Sequence, residues 1–179
     1  LVEAGRVRGV VVDGGRTITA SSVASSIDAD WTYRRLVDEK ELPEEFLQAI
    51  NRIDYSSASA KINLALGEAP CFQNTPGNSI GPEHQGTIHI SPTLDYIEKA
   101  YADARQGWPS EEPVLEVTIP TSLDSTIAPE GKHLMSIFVQ YAPYQLQQEN
   151  WDDIKESFAD RCIELLGRYA PNLPGAVEH

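Results

Sequence analysis

Four histidines, two cysteines and several acidic pairs are the residues of this chain best suited to chemistry. The tightest grouping is Asp124-Ser125, close upstream of His133. A serine hydrolase would carry its nucleophile on a G-x-S-x-G elbow, and no such motif occurs here. The Pro, Ser, Thr and Asp content of the surrounding loop instead makes Asp124 and Ser125 turn formers whose side chains bond nearby backbone. His84 and His89 fall on a loop-to-strand passage, so they share no helical face, and no Cys or His completes a ligand set; no metal is expected. Cys71 and Cys162 make no C-x-x-C pair. Cys162 stands among Ile154, Phe158, Leu165, Leu166 and Tyr169 at helical spacing, the pattern of a buried thiol in a reducing compartment. Nothing near Cys71 would lower its pKa. Glu111-Glu112 and Asp152-Asp153 flank elements where solvated or helix-dipole roles suffice. No residue qualifies as catalytic on these grounds.

The elements that would position any site are easier to read. In PVLEVTIPTSLDSTIAPEGKHLMSIFVQYAPY (113–144), Leu115, Val117 and Ile119 alternate with Glu116 and Thr118, the period of a half-buried strand. Ile137, Val139 and Tyr141 then alternate with Ser136, Phe138 and Gln140. Two further strands follow the same rule: Ile62, Leu64 and Leu66 against Lys61, Asn63 and Ala65, and Ile88 and Ile90 against Thr87 and His89. One face of this sheet is therefore apolar throughout. Three amphipathic helices are expected to cover it. The first begins at Pro43 with Glu44 and Glu45 in its first turn and Phe46, Leu47, Ile50 and Ile53 on one side. The second is capped by Ser91 and opened by Pro92, with Leu94, Ile97, Tyr101 and Ala104 as its stripe and Gly107 as its stop. The third starts near Asn150 and ends around Tyr169 and Ala170, before Pro171. Asp13-Gly14-Gly15 reads as a hairpin turn. Of two loops, 68–85 and 122–132, the first is the better candidate for disorder.

The result is an α+β fold: a mostly antiparallel or mixed β-sheet with amphipathic helices packed on one face, preceded by a short β-hairpin region. Bulk composition agrees. The chain has 179 residues, 41% of them hydrophobic, enough for one real core. Its net charge of −13 argues against a nucleic-acid partner, which needs clustered Lys and Arg. Arg34-Arg35 is the lone basic pair and reads as a solvated helix face. No apolar run approaches the ~20 residues of a membrane span, and a cytoplasmic location is the expectation.

Several blocks in order carry a family resemblance: LPEEFLQAINRID (42–54), AKINLAL (60–66), HQGTIHIS (84–91), the 113–144 block and the terminal RYAPNLPG. Together they resemble the phytoene-dehydrogenase-like flavoproteins, in particular the pyridine nucleotide-disulfide oxidoreductase domain-containing branch. VASSIDADWTYRRLV (23–37) is similar to that family's strand-to-helix passage V-V-S-N-A-D-P-x-x-T-F-x-x-L at Val23, Ser25, Asp28, Thr32, Tyr33 and Leu36. It departs from it at Ser26, where the family has Asn, and at Ala29, where it has Pro. The family's FAD-binding G-x-G-x-x-G turn has no counterpart here; Gly5 and Gly9 lack a following helix.

The resemblance implies an excised piece of a longer protein. Residues 1–37 would be a remnant of the cofactor-side domain, with Ser25 and Ser26 as cofactor-proximal candidates. Residues 38–179 would be the substrate-binding domain, which in this family roofs a cavity over the flavin. On that reading Lys61, Asn63, His89, Glu116, Thr118, Phe138 and Gln140, on the sheet face opposite the helices, are candidates to line a small-molecule substrate site. FAD is expected in the full-length protein, which would pass hydride to flavin, and none in this chain, which would be inactive alone. A non-catalytic binding or interaction module on the same fold is the alternative. A domain cut from its partner would expose a former interface, so self-association as a homodimer is also expected.

Overall fold

The computed structural model describes every residue except Pro76 and Asn78; the expectation of disorder in the 68–85 loop lies, at these two positions, outside the described residues. Contacts group the chain into two units, Leu1–Tyr55 and Ser56–His179.

The first unit opens with two small antiparallel hairpins, β1 (Val2–Glu3) with β2 (Arg6–Val7) and β3 (Gly9–Val11) with β4 (Thr17–Thr19). Asp13-Gly14-Gly15 makes the second turn, as its composition requires, with both glycines at positive φ. Gly9 is fixed by close approach: a Cβ there would sit 2.0 Å from the Ile18 carbonyl oxygen. The expected strand near Val23 does not form. A strand needs a ladder partner, and the described residues after Thr19 make none before the helical turn α1 (Ala29–Trp31). The helical half of that passage is present. The Asp28 carboxylate caps it, accepting the Trp31 N–H at 2.9 Å, and the turn runs on as a π-helical segment, Thr32–Leu36. Pro43 occupies the N-cap position of α2 (Glu44–Asn51), which therefore starts one residue later than expected. Ile50 is buried and the Phe46 ring meets Tyr33 edge-on at 4.9 Å, whereas Ile53, beyond the helix end, is exposed.

The second unit is built on a four-stranded sheet, all of whose pairs are antiparallel, in the order β5-β8-β7-β6: β5 (Ser59–Leu66), β8 (His133–Gln140), β7 (Val114–Thr118) and β6 (Ile88–Ile90). Alternation along each strand sends Leu64, Leu66, Ile90, Leu115, Val117, Met135, Ile137 and Val139 into one core. Across that core lies α4 (Trp151–Gly167). Asn150 caps it, Asp152 and Asp153 occupy its first turn, and Phe158, Cys162, Leu165 and Leu166 form its inner stripe. Each such side chain, fully buried, contributes roughly 1.5–3 kcal/mol. A short α5 (Leu173–Ala176) adds Leu173, and the chain end pairs with the rim of β5 through Leu66 and Val177.

Two expectations about the helical cover change. The helix α2 belongs to the first unit, so α4 and α5 supply the cover within the second. The second expected helix, α3 (Leu94–Arg105), is tied beside β7: Tyr96 donates its hydroxyl to the Pro113 carbonyl at 2.9 Å, and Ser110 donates to the Ala100 carbonyl at 2.6 Å. Its cap is Thr93, which accepts the Tyr96 N–H, and not Ser91. Leu94, the first residue of the helix, is 80% exposed, and Ala100 is the buried residue of the inner side, between the half-buried Ile97 and Ala104. Gly107 ends the helix at φ +79, a conformation that side chains disfavour.

The two ends of the 68–85 loop, Glu68–Cys71 and Gly81–His84, are anchored by hydrogen bonds. Asn172 accepts the Cys71 N–H at 2.7 Å and donates to Glu68 and to the Ala69 carbonyl. His84, 2% exposed, accepts the Gly81 N–H on Nδ1, which leaves Nε2 to donate to the Pro70 carbonyl at 2.8 Å. Ser122 then donates to the His84 carbonyl. These long-range bonds have no periodic signature in the sequence.

Candidate functional site

The register of the sheet decides which candidate side chains meet. Lys61 pairs with Phe138, Phe138 with Glu116, and Glu116 with His89, so these four form one row running across all four strands. The next row joins Asn63, Ser136 and Thr118. Gln140 lies in the row on the other side, between Ser59 and Val114. All share a face because each strand repeats every second residue.

That face is open over the first two rows, and in the third Val114 is buried while Ser59 and Gln140 are half-buried. Lys61, Asn63, His89 and Phe138 are exposed, and Glu116 and Thr118 half-buried. Val114 has the same parity as Glu116 yet is buried, outside the main core. The expected uncovered face is thus corrected at Val114, beside Gln140. Two hollows mark the open part. One, of ≈ 220 Å³, is lined by Lys61, Thr87, Glu116, Thr118, Ser136 and Phe138. The other, of ≈ 440 Å³, extends past Asn63, Thr118 and Ser136 to His179. Thr87 and Ser136 are lining residues that the candidate set omitted. Their parity was the available signal.

Among the described residues of this unit the ion pairs lie elsewhere: Lys99 with Glu111 and Glu112, Arg168 with Glu112, Lys132 with Glu178, and Lys155 with Asp152. Lys61 and Glu116 therefore carry their charges on the face without a salt-bridge partner. Across the strands, the exposed Phe138 ring sits between them.

The remaining chemistry-bearing residues have structural duties. Asp124 accepts the Thr126 N–H at 2.9 Å and the Thr126 hydroxyl at 2.6 Å, bonds that hold its carboxyl below the usual range. His133 meets the Thr121 hydroxyl through Nδ1 at 3.2 Å, so no Asp-His-Ser relay exists there. Burial, and then the nearby His84, lower the His133 pKa. Cys162 is fully buried and its thiol is pushed up to about 12 by desolvation. No group of three or more His, Cys, Asp or Glu among the described residues could hold a metal ion. Nor is any helix among them long and apolar enough to cross a membrane.

The first unit holds the cofactor-proximal candidates. Ser25 shares a hydrogen bond with the Thr32 hydroxyl at 2.8 Å and lines a mostly apolar hollow of ≈ 370 Å³ with Val2, Val10, Val23, Ile27 and Tyr33. Ser26 is exposed and does not line it. These residues do not make a dinucleotide cradle. Such a cradle needs a glycine turn opening into a helix whose N–H groups receive a diphosphate. Here the glycine turns close hairpins, and the start of α1 is occupied by the Asp28 carboxylate.

Comparison of this α+β chain with known proteins points to oxidoreductases of the phytoene desaturase and pyridine nucleotide-disulfide oxidoreductase kind. The chain is 38% identical over 97% of its length to rat (Rattus norvegicus) pyridine nucleotide-disulfide oxidoreductase domain-containing protein 2, covering 31% of that protein. It is 25% identical over 92% of its length to the zeta-carotene-forming phytoene desaturase of Myxococcus xanthus and 27% identical over 93% to the chloroplastic prolycopene isomerase of Daucus carota. It spans 29% and 24% of those two proteins. The chain thus spans less than a third of each of these curated relatives. No protein-family model matches it. The resemblance read from the motifs holds over nearly the whole chain.

Proposed function

We propose that this chain is the substrate-side part of an FAD-dependent oxidoreductase of the phytoene-dehydrogenase-like kind, and that it has no turnover by itself. The open rows of the sheet form part of the wall of a small-molecule cavity. FAD is held by segments of the full-length protein other than these residues. The observation that carries the reading is the contrast across one sheet: a closed core on one side, and on the other a row of charged and aromatic side chains with no salt bridge to satisfy it. Similarity to oxidoreductases over nearly the whole chain supports the class of reaction. Two free thiols, Cys71 and Cys162, fit a reducing, cytoplasmic setting.

The test is a flavin absorbance spectrum of the full-length protein beside that of the chain, followed by substrate kinetics of full-length Thr118→Val, Phe138→Ala and Asn63→Ala. A flavin-bearing full-length protein, a colourless chain and raised KM in the variants are expected. A full-length protein that never takes up flavin removes the oxidoreductase reading, and wild-type kinetics in all three variants remove the cavity wall.

A further inference from the structure

The open row also indicates what kind of molecule would satisfy it. Lys61, Phe138 and Glu116 are direct cross-strand neighbours on β5, β8 and β7. Adjacent strands lie about 4.8 Å apart, so the backbones bearing the ammonium and the carboxylate stand roughly 10 Å apart with an aromatic ring between them. The ring is 40% exposed, a large apolar surface held in the middle of a polar row. Hydroxyls of Thr87, Thr118 and Ser136 line the same ≈ 220 Å³ hollow. His89, opposite Glu116, adds a second polar group at that end.

The geometry points to a small bifunctional ligand, with a carboxylate for Lys61, an ammonium for Glu116 and a flat or apolar body over Phe138. This assignment rests on the cavity-wall reading and gives it a substrate class. The physical reason is charge complementarity. A neutral hydrocarbon laid across this row would cover Phe138 but strip water from two charges without replacing their partners, which is costly. A zwitterion of matching length replaces both. A ligand with one charge satisfies one end and leaves the other desolvated. The inference therefore separates this chain from the carotenoid substrates in the names of two of its relatives.

The experiment is a nuclear magnetic resonance titration of the isotope-labelled 179-residue chain with three matched probes. They are para-(aminomethyl)benzoate, para-toluate, which lacks the amine, and para-methylbenzylamine, which lacks the acid. Amide shifts centred on Lys61, Glu116 and Phe138 are expected. Binding should be about two- to fivefold weaker for each probe lacking one charge, the range of exposed ion pairs. Lys61→Met should abolish the advantage of the zwitterion over the amine, and Glu116→Gln its advantage over the acid, with both variants retaining the dispersed spectrum of the folded chain. Equal affinity for all three probes, or no shift along the row at tens of millimolar, overturns the assignment. An uncharged polyene such as β-ionone shifting the same row more strongly than the zwitterion also overturns it, while leaving the cavity wall intact. A full-length protein without flavin would instead remove the oxidoreductase reading and leave the binding preference standing.

Discussion

Ile137 and Val139 are wholly buried and Phe138, between them on the same strand, is 40% exposed. The two faces of the second unit's sheet are thus one residue apart in sequence and opposite in environment. On the covered face, Leu115, Ile137 and Val139 pack under the α4 stripe, and their worth is area removed from water. On the open face, Lys61, Glu116 and His89 contribute little to folding, since exposed charges at this spacing add little to stability. Pleating allows one set of strands to do both jobs: residues of one parity hold the sheet together, and residues of the other are available for a ligand. A one-residue slip in register would exchange the two sets, so the core also fixes which polar groups stand in a row.

The largest expected effect comes from breaking the covered face. Ile137→Ala should cost about 2–5 kcal/mol, since both a transfer term and a residual cavity follow from truncating a fully buried side chain. Hydrogen exchange at the β8 amides is the appropriate measurement, because it reports on this unit alone. Loss of less than about 1 kcal/mol would mean that the α4 stripe closes over the gap, and the contrast between the faces would weaken. Next comes Ser110→Ala. Its buried hydroxyl donates to the Ala100 carbonyl and accepts the Tyr141 N–H at 3.1 Å, joining α3 to the end of β8. Removing it leaves the part-buried Tyr141 N–H without its acceptor, while the Ala100 carbonyl keeps its place in the α3 ladder, at a cost of about 1 kcal/mol. An unchanged denaturation midpoint would show that neither bond matters.

Periodicity made the two faces legible before any coordinates. The alternation in the late strands named the core residues of β7 and β8 and the parity of the candidate row, and the Asp13-Gly14-Gly15 turn named the second hairpin. What alternation does not encode is pairing. Only the register shows that Lys61, Phe138, Glu116 and His89 fall in a single row while Gln140 stands apart beside Val114. Local signals also misplaced the start of α3. Ser91-Pro92 is a good opening in isolation, yet Thr93 caps because its hydroxyl reaches the Tyr96 N–H at 3.1 Å. The anchoring of the ends of the 68–85 loop was invisible because Asn172 and His84 act across long sequence separations, through backbone groups that any residue possesses.

Alkaline pH tests the covered face more gently. Burial raises the Cys162 thiol from an ordinary value of 9.0 to about 12. The unfolded chain therefore ionises first, and the stability present below pH 9 is lost as the pH rises toward 12. Cys162→Ala should flatten that slope, read from unfolding midpoints between these limits. In the native chain at pH 8, Cys162 should react with a thiol reagent far more slowly than in denaturant, because both the thiolate fraction and access are reduced. Tyr96, raised to about 12 by burial and then by Glu112, adds a slope of the same sign. At the acid end His133 contributes with the opposite dependence. Its folded pKa is lowered, so the unfolded state takes up a proton first as pH falls below 6.5, and stability falls with it.

The smallest effect belongs to Phe138→Ser, and it is the sharpest test of the comparison. If the open face exists for a ligand, deleting its ring should change stability by no more than about 0.5 kcal/mol, as at an ordinary surface position. An added hydroxyl beside Ser136 and Thr118 creates no buried unpaired group, since the hollow opens to solvent. The same substitution should weaken the binding of para-(aminomethyl)benzoate, because the ring that would lie under the probe's apolar body is gone. A measured loss approaching that of Ile137→Ala would place Phe138 in the folding core, since a merely exposed ring has too little area removed from water to account for it. A neutral change in stability together with lost binding would instead separate the two faces by function as cleanly as the pleat separates them in space.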